Sequence, residues 1–196
     1  MFKIAEELSC KNVIERSKFL GFVFNCESTK HQTELLKSIK SLHSSASHVC
    51  YASAIFDGNE ILYYSCDDGE PSGTAGLQIL NSLKENEMVG VLCVVVRYFG
   101  GIKLGVPGLS RAYKSTAQQI LEDNKKNCEK KFLYQIDCTY EQYNMLKKFF
   151  SKKRIQPNDV KFQNNICVAV ALSNDDYEDV QKRFNIKRIN GEAFYC

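Results

Sequence analysis

Three carboxylates fall within four residues, at Asp67, Asp68 and Glu70, in a loop that also holds Gly69 and Pro71. Such a group can supply the hard oxygen ligands that Mg²⁺ or Ca²⁺ takes, although no EF-hand spacing is present. It can also supply a general acid and a general base, provided the environments of the carboxyls differ. The plainer reading is a solvated turn whose charge complements the N-terminus of a following helix, with Ser72 or Thr74 as its cap. His48 and Cys50 stand two residues apart, which on a strand puts both on one face. A Cys–His pair is the arrangement of a nucleophile and its base. A half-buried histidine beside a core cysteine is the ordinary alternative, because reactivity requires surroundings that favour the thiolate.

A second constellation is Arg97-Tyr98-Phe99-Gly100-Gly101-Ile102-Lys103-Leu104-Gly105, placed between a long apolar run and an amphipathic stretch. Strand, glycine turn and helix is a common way to present backbone N–H groups and a helix N-terminus to an anion. Arg97, Lys103 and Arg111 would add positive charge, and Tyr98 or Phe99 an aromatic face for a base. The candidate ligand-binding set is therefore Ser72, Gly73, Thr74, Arg97, Tyr98, Gly100, Gly101, Lys103 and Arg111. The glycine spacing and the absence of a Gly-Lys-Ser/Thr order exclude a Walker A loop and a dinucleotide fingerprint. A tight turn packed on a neighbouring helix would use the same glycines. Further along, Lys147, Lys148, Lys152, Lys153 and Arg154 form a basic run able to meet phosphates, or simply a solvated helix face.

The elements that must position these groups follow from periodicity. Phe19–Phe24 reads as a strand, and Thr29 with Gln32 as a capping box opening a helix with Leu35, Leu36, Ile39 and Leu42 on one face. Val49–Phe56 and Ile61–Tyr64 read as strands joined at Asp57-Gly58-Asn59. A helix carrying Leu77, Ile79, Leu80 and Leu83 follows the acidic loop. Val89–Phe99 is apolar enough for a strand buried on both faces. A helix with Leu109, Tyr113, Thr116, Ala117 and Ile120 along one stripe comes next. After the polar segment Glu122–Asn127, the order is strand Phe132–Cys138, a helix capped by Thr139 and Gln142, strands Val160–Phe162 and Ile166–Leu172, a helix capped by Ser173, and a last strand Ile186–Tyr195. That is a β-α-β-β-α-β order.

Charge supports the same division. Residues 1–124 hold 12 Lys and Arg against 14 Asp and Glu, whereas residues 125–196 hold 14 against 9. A hydrophobic content of 44% with 25% charged residues is that of a globular chain. No run of about twenty uncharged apolar residues occurs, so no membrane span is expected. MFKIAEELSCK lacks the pattern of a secretion signal, which makes a cytoplasmic location the expectation. The nine cysteines contain no CxxC pair, and they are expected as reduced, mostly buried thiols with no structural zinc. No metal or cofactor is expected.

Seven of the eleven glycines lie in DDGEPSGTAG and RYFGGIKLGVPGLSRAY. These blocks, ending in LSRAY, resemble the signature of the YigZ/IMPACT family. Ser47-His48-Val49-Cys50-Tyr51-Ala52 resembles that family's histidine-containing strand, and Glu15-Arg16-Ser17-Lys18-Phe19 its N-terminal motif. The resemblance spans most of residues 13–124, and the second part is similar to the C-terminal domain of the bacterial branch by pattern and position. It implies an α+β protein: an N-terminal ribosomal-protein domain-two-like α/β domain over residues 1–124, a linker over 125–131, and a ferredoxin-like βαββαβ domain over 132–196. The latter is similar to the last domain of the translocation elongation factor. Both folds often meet RNA.

Eukaryotic IMPACT proteins restrain the kinase that senses amino-acid starvation by competing for its activator. These residues contain no RWD-type partner-binding domain, so that role is not expected to carry over whole. Family members usually have a small residue and glycine where Val106 and Pro107 stand, and proline has no N–H to offer an anion. The expected function is a cytoplasmic protein that binds RNA, the ribosome or a translation factor and regulates translation. The alternatives are a metal-assisted hydrolase or phosphoryl-handling enzyme using His48, Asp67, Asp68 and Glu70, and a protein–protein interaction module.

Overall fold

The computed structural model describes residues 1–57, 60–122 and 124–195, with side chains through residue 189. It is a mixed α/β chain that divides into two compact units, Met1–Asn127 and Cys128–Cys196. The first unit runs β1 (Phe2–Ile4), β2 (Leu8–Ile14), β3 (Ser17–Asn25), α1 (Thr29–Leu42), β4 (His48–Asp57), β5 (Glu60–Cys66), α2 (Gly76–Glu85), β6 (Val91–Tyr98), α3 (Gly105–Leu121) and β7 (Lys125–Asn127). Its main sheet has the order β2-β3-β6-β4-β5, and every neighbouring pair is antiparallel.

β6 is the central strand because it can be buried on both sides: Val91 through Arg97 are all buried. Its alternate residues serve two cores. Val91, Cys93 and Val95 pack with Phe19, Val23 and Cys50 under α2 and α3. Leu92, Val94 and Val96 pack with Val49 and Ile55 under α1, whose inward stripe is Leu35, Leu36 and Ile39. Each such fully buried aliphatic side chain contributes about 1.5–3 kcal/mol of transfer free energy. The sheet therefore carries a helix layer on each face. Its loop end gathers the β2–β3 turn, the β5–α2 loop, the β6–α3 loop and the start of β4.

The second unit runs β8 (Glu129–Cys138), α4 (Tyr140–Lys153), β9 (Pro157–Phe162), β10 (Ile166–Leu172), α5 (Asn174–Gln181) and β11 (Ile186–Tyr195). The sheet order is β11-β8-β10-β9, all antiparallel, and both helices pack on the face bearing Tyr134, Ile136, Val168 and Val170. The expected β-α-β-β-α-β order is present. Thr139 and Gln142 form the expected capping box, and the Ser173 side chain caps α5.

Two local expectations change. Gln32 does not complete a box with Thr29; Ser28 caps α1, and Gln32 is buried where its side chain accepts from Ser53. Residues 125–131 are not a free linker: Lys125–Asn127 pairs with Phe2–Ile4, and β8 already begins at Glu129. β7 is wholly polar and β1, although Ile4 is buried, is only three residues long, so neither shows a period in the sequence. Gly58 and Asn59 of the hairpin turn lie outside the described residues.

Candidate functional site

The five motifs that stand apart in sequence meet at one end of the first sheet. His48 on β4 and Phe19 on β3 both sit directly opposite Arg97 on β6, so all three side chains share the face covered by α2 and α3. There the Arg97 guanidinium donates to Glu70 Oε1 at 2.7 Å, and the Tyr113 hydroxyl donates to the same oxygen at 2.8 Å. The Glu70 and Arg97 side chains are only 3% and 6% exposed. Arg97 also reaches Ser17 Oγ at 3.5 Å, and that hydroxyl accepts from the Gly100 N–H at 3.2 Å. The guanidinium carbon lies 5.5 Å from the Phe19 ring centre and 5.4 Å from that of Phe99, while Nε is buried with no hydrogen-bond partner. Stacking between two rings gives the charge partial compensation where no acceptor is available.

Each acidic residue of the loop is engaged by the protein. Asp67 accepts from the backbone N–H groups of Gly73, Ala75 and Gly76 at 2.9, 3.0 and 2.8 Å. It is therefore the Asp67 carboxylate that caps α2, not Ser72 or Thr74. Ser72 is exposed, and the buried Thr74 hydroxyl instead donates to the Pro71 carbonyl. A carboxylate six to nine residues upstream was not a local cap signal, because the tight loop through Gly69 and Gly73, both at positive φ, is what folds it back. Asp68 accepts from the Val49 N–H at 2.7 Å and from Lys40 at 2.9 Å. That hydrogen bond pushes the Lys40 ammonium above its ordinary range.

His48 Nδ1 donates to the Asp68 carbonyl oxygen at 2.9 Å, which leaves Nε2 toward Glu70 Oε1 at 3.9 Å, beyond hydrogen-bond reach. His48, Asp67, Asp68 and Glu70 thus lie close in space but do not converge on a common point. Among the described residues, no group of three or more His, Cys, Asp or Glu side chains is placed to hold a metal ion. Cys50 donates to the Asp67 carbonyl oxygen at 3.0 Å and lies 3.4 Å from the Tyr113 hydroxyl. Burial pushes its thiol up to about 12. The same cause raises the Tyr113 phenol far above its ordinary value.

A buried, protonated Cys50 makes a concrete prediction. In the native chain, Cys50 and the fully buried Cys93, whose thiol is likewise pushed up to about 12, should resist iodoacetamide at pH 8 and react once the chain is unfolded. Mass-spectrometric mapping of the alkylated peptides checks this. Native labelling of Cys50 would restore the nucleophile reading. The linkage has a definite sign: the stabilising contribution is complete below the unfolded value near 9 and is lost as pH rises toward about 12.

The glycine turn divides between interior and surface. Tyr98 turns to the α1 face, where its hydroxyl lies 2.9 Å from His43 Nδ1, so it offers no ring at this end. Phe99 is the exposed aromatic, at 48%, and its N–H donates to Ser47 Oγ. Gly101, Lys103 and Arg111 are exposed, together with Arg16 on the neighbouring turn, whereas the exposed Lys18 of β3 stands opposite Tyr98 on the α1 face. α3 starts at Gly105 without a side-chain cap, and Pro107 lies within its first turn, where a missing N–H costs no helix bond. A cleft of about 520 Å³ beside this start is lined by Glu15, Ile102, Lys103, Gly108 and Arg111, among others. The site residues not anticipated were Ser17 and Tyr113. Ser17 sits in the N-terminal motif and Tyr113 on the expected inward stripe of α3, so a buried polar partner for Arg97 was the missing signal.

In the second unit, Lys147 lies 4.9 Å over the Tyr143 ring, which meets the exposed Phe162 edge to face at 5.7 Å. Lys153 is held by Asp176 and Asp179 at 3.2 and 3.0 Å. Lys148, Lys152 and Arg154 are exposed.

Comparison with known proteins agrees with this assembly of motifs. The Impact N-terminal domain family matches residues 15–121. An IMPACT family member of Haemophilus influenzae is 32% identical over 167 residues, covering 84% of this chain and 81% of that protein. The IMPACT family member YvyE of Bacillus subtilis is 39% identical over 120 residues, covering 61% of this chain and 55% of that protein. A crystal structure described as that of a hypothetical protein aligns over 96% of both chains with a TM-score of 0.66 and 24% identity, which supports the fold. With five motifs brought to one sheet end and a family match across more than half of its length, the chain belongs to the IMPACT family.

Proposed function

We propose that this IMPACT family member is an RNA- or ribosome-binding regulator of translation, and that its contact surface is the loop end of the first sheet. One observation carries the reading: the three carboxylates of the β5–α2 loop are engaged by protein partners, while Lys103, Arg111 and Phe99 remain at the surface near the uncapped start of α3, with Glu15 the exposed carboxylate beside them. Cations that track phosphates, with an aromatic ring on which a base can stack, are the minimum of a single-strand contact. The Tyr143–Lys147–Phe162 cluster supplies a similar aromatic and basic surface on the second unit. The domain-two-like and ferredoxin-like names for the two folds, and a cytoplasmic location, belong to the same reading. The hydrolase alternative finds no support in carboxylates that already serve as a helix cap, a strand anchor and an ion pair.

The test is a salt titration of RNA binding by fluorescence anisotropy, with ribosome cosedimentation alongside. Lys103→Ala and Arg111→Ala should each lower the slope of log K against log salt by about 1. Phe99→Ala should weaken binding by about 1–3 kcal/mol while leaving that slope unchanged. Absence of both RNA and ribosome association at low salt would end the proposal.

A further inference from the structure

The second unit carries a stripe on α4 that its own core takes up only in part: Phe149 packs against that core, whereas Met145 stays exposed. On α4, Leu146 and Phe150 face the sheet, whereas Met145, Lys148, Phe149 and Lys152 recur at i, i+3, i+4 and i+7 along the side next to α5. These four residues, with Arg183 and Phe184 beyond α5, line a groove of about 430 Å³. Its apolar lining is Met145, 59% exposed, with the half-buried Phe149 and the buried Phe184 behind it. Its rim is cationic. Asp179, the one acidic residue of the lining, is already bound by Lys153, and Lys148, Lys152 and Arg183 have no ion pair among the described residues.

We infer that this α4–α5 groove docks an acidic amphipathic helix from a protein partner. The groove runs beside α4 from Met145 to Lys152, about two helical turns, which suits the mode in which an incoming amphipathic helix lays its apolar face, with anchors at i, i+3, i+4 and i+7, along a groove. Lys148, Lys152 and Arg183 then select glutamate and aspartate flanking the partner's apolar anchors, and reject a basic helix. The geometry favours a helix over RNA at this surface. The two rings that line it are withdrawn from solvent, Phe149 half-buried against the core and Phe184 at 8% exposure, and the exposed apolar group is Met145, which has no ring face to offer a base. This surface is distinct from the loop end of the first unit, so each proposal can fail without the other.

The test uses the full chain, labelled with ¹⁵N, and a fluorescein-tagged helical peptide of about 18 residues with leucine at the anchor spacing and glutamate elsewhere. The expected result is saturable binding that shifts the amide resonances of α4 and α5. Met145→Glu, at an exposed position, and separately Lys148→Glu with Lys152→Glu should each weaken it by about tenfold or more. Lys103→Ala should leave it unchanged. A lysine-for-glutamate peptide should not bind. Raising the salt should weaken the peptide only a few-fold, in contrast to the loss of about 10³-fold or more that multiple phosphate contacts would give. The inference is overturned if the peptide fails to bind, or if Met145→Glu binds it as well as the parent chain. It is equally overturned if a short oligouridine displaces the peptide from these amides, or if the face proves to be occupied by a second copy of the chain in sedimentation experiments.

Discussion

Glu70→Ala is expected to destabilise the first unit by about 3–5 kcal/mol, the usual cost of leaving a buried charge without its partner. The Arg97 side chain is 6% exposed, has one nitrogen already without an acceptor, and relies on Glu70 for its shortest hydrogen bond. Removing the carboxylate also strands the Tyr113 hydroxyl, which is buried between Glu70 and Cys50. The expected behaviour of the pair separates charge from shape. Glu70→Met with Arg97→Met should recover most of the loss, because a packed apolar pair often replaces a buried ion pair at little net cost. Glu70→Gln should fall between, since it keeps an acceptor for Tyr113 but not the charge. Urea denaturation of the full chain, following the first transition, measures all three. If Glu70→Ala lost under about 1 kcal/mol, the ion pair would be no more than a surface-like contact, and it would not tie the acidic loop to β6.

How far this arrangement was legible in the sequence depends on the range of the signal. Strands and helices with a clear period were readable: β3, β4, β6, α3 and the whole β8-to-β11 order follow from alternation, helical stripes and caps at Thr139 and Ser173. The three-residue strands β1 and β7 were not, because neither is long enough to show a period and β7 is wholly polar. At the site, the motifs were readable as motifs but their partners were not. Period two along β6 puts Arg97 on the face of Cys93 and Val95, which already requires a buried counter-charge. It also sends Tyr98 to the opposite face, against the expectation that Tyr98 would serve the glycine turn. What alternation cannot say is which carboxylate answers Arg97. Asp67, Asp68 and Glu70 are close neighbours in sequence, yet the positive-φ turns at Asp68 and Gly69 send them to a helix N-terminus, a strand N–H and the guanidinium respectively.

The glycines of the signature are expected to differ sharply in what they tolerate, with Gly100 the least permissive. A Cβ on Gly100 would lie inside the van der Waals radii of the Arg16 carbonyl group and the Ser17 nitrogen. Those atoms belong to the β2–β3 turn, where Glu15 and Arg16 already hold positive φ of 45° and 63°. A two-residue turn of that hand has little freedom to retreat. Gly100→Ala must therefore separate the glycine loop from the hairpin, breaking the Gly100 N–H to Ser17 contact and loosening the Arg97 guanidinium behind it. Overpacking of about 1–3 kcal/mol with a lost hydrogen bond of about 1 kcal/mol gives an expected cost of about 3 kcal/mol. Gly76→Ala meets the Cys66 backbone at 2.6–2.8 Å and should cost less, since alanine is the better helix former and offsets part of the clash. Gly101→Ala has open space and only its φ of +88° against it, so about 1 kcal/mol is expected. Denaturation midpoints for the three variants should fall in the order Gly100, Gly76, Gly101, from most to least destabilised. An equal loss at Gly100 and Gly101 would mean that conformational freedom alone explains the double glycine. The predicted order instead makes Gly100 the point where the N-terminal motif and the glycine turn must touch backbone to backbone, which is why two segments so distant in the chain can hold one surface.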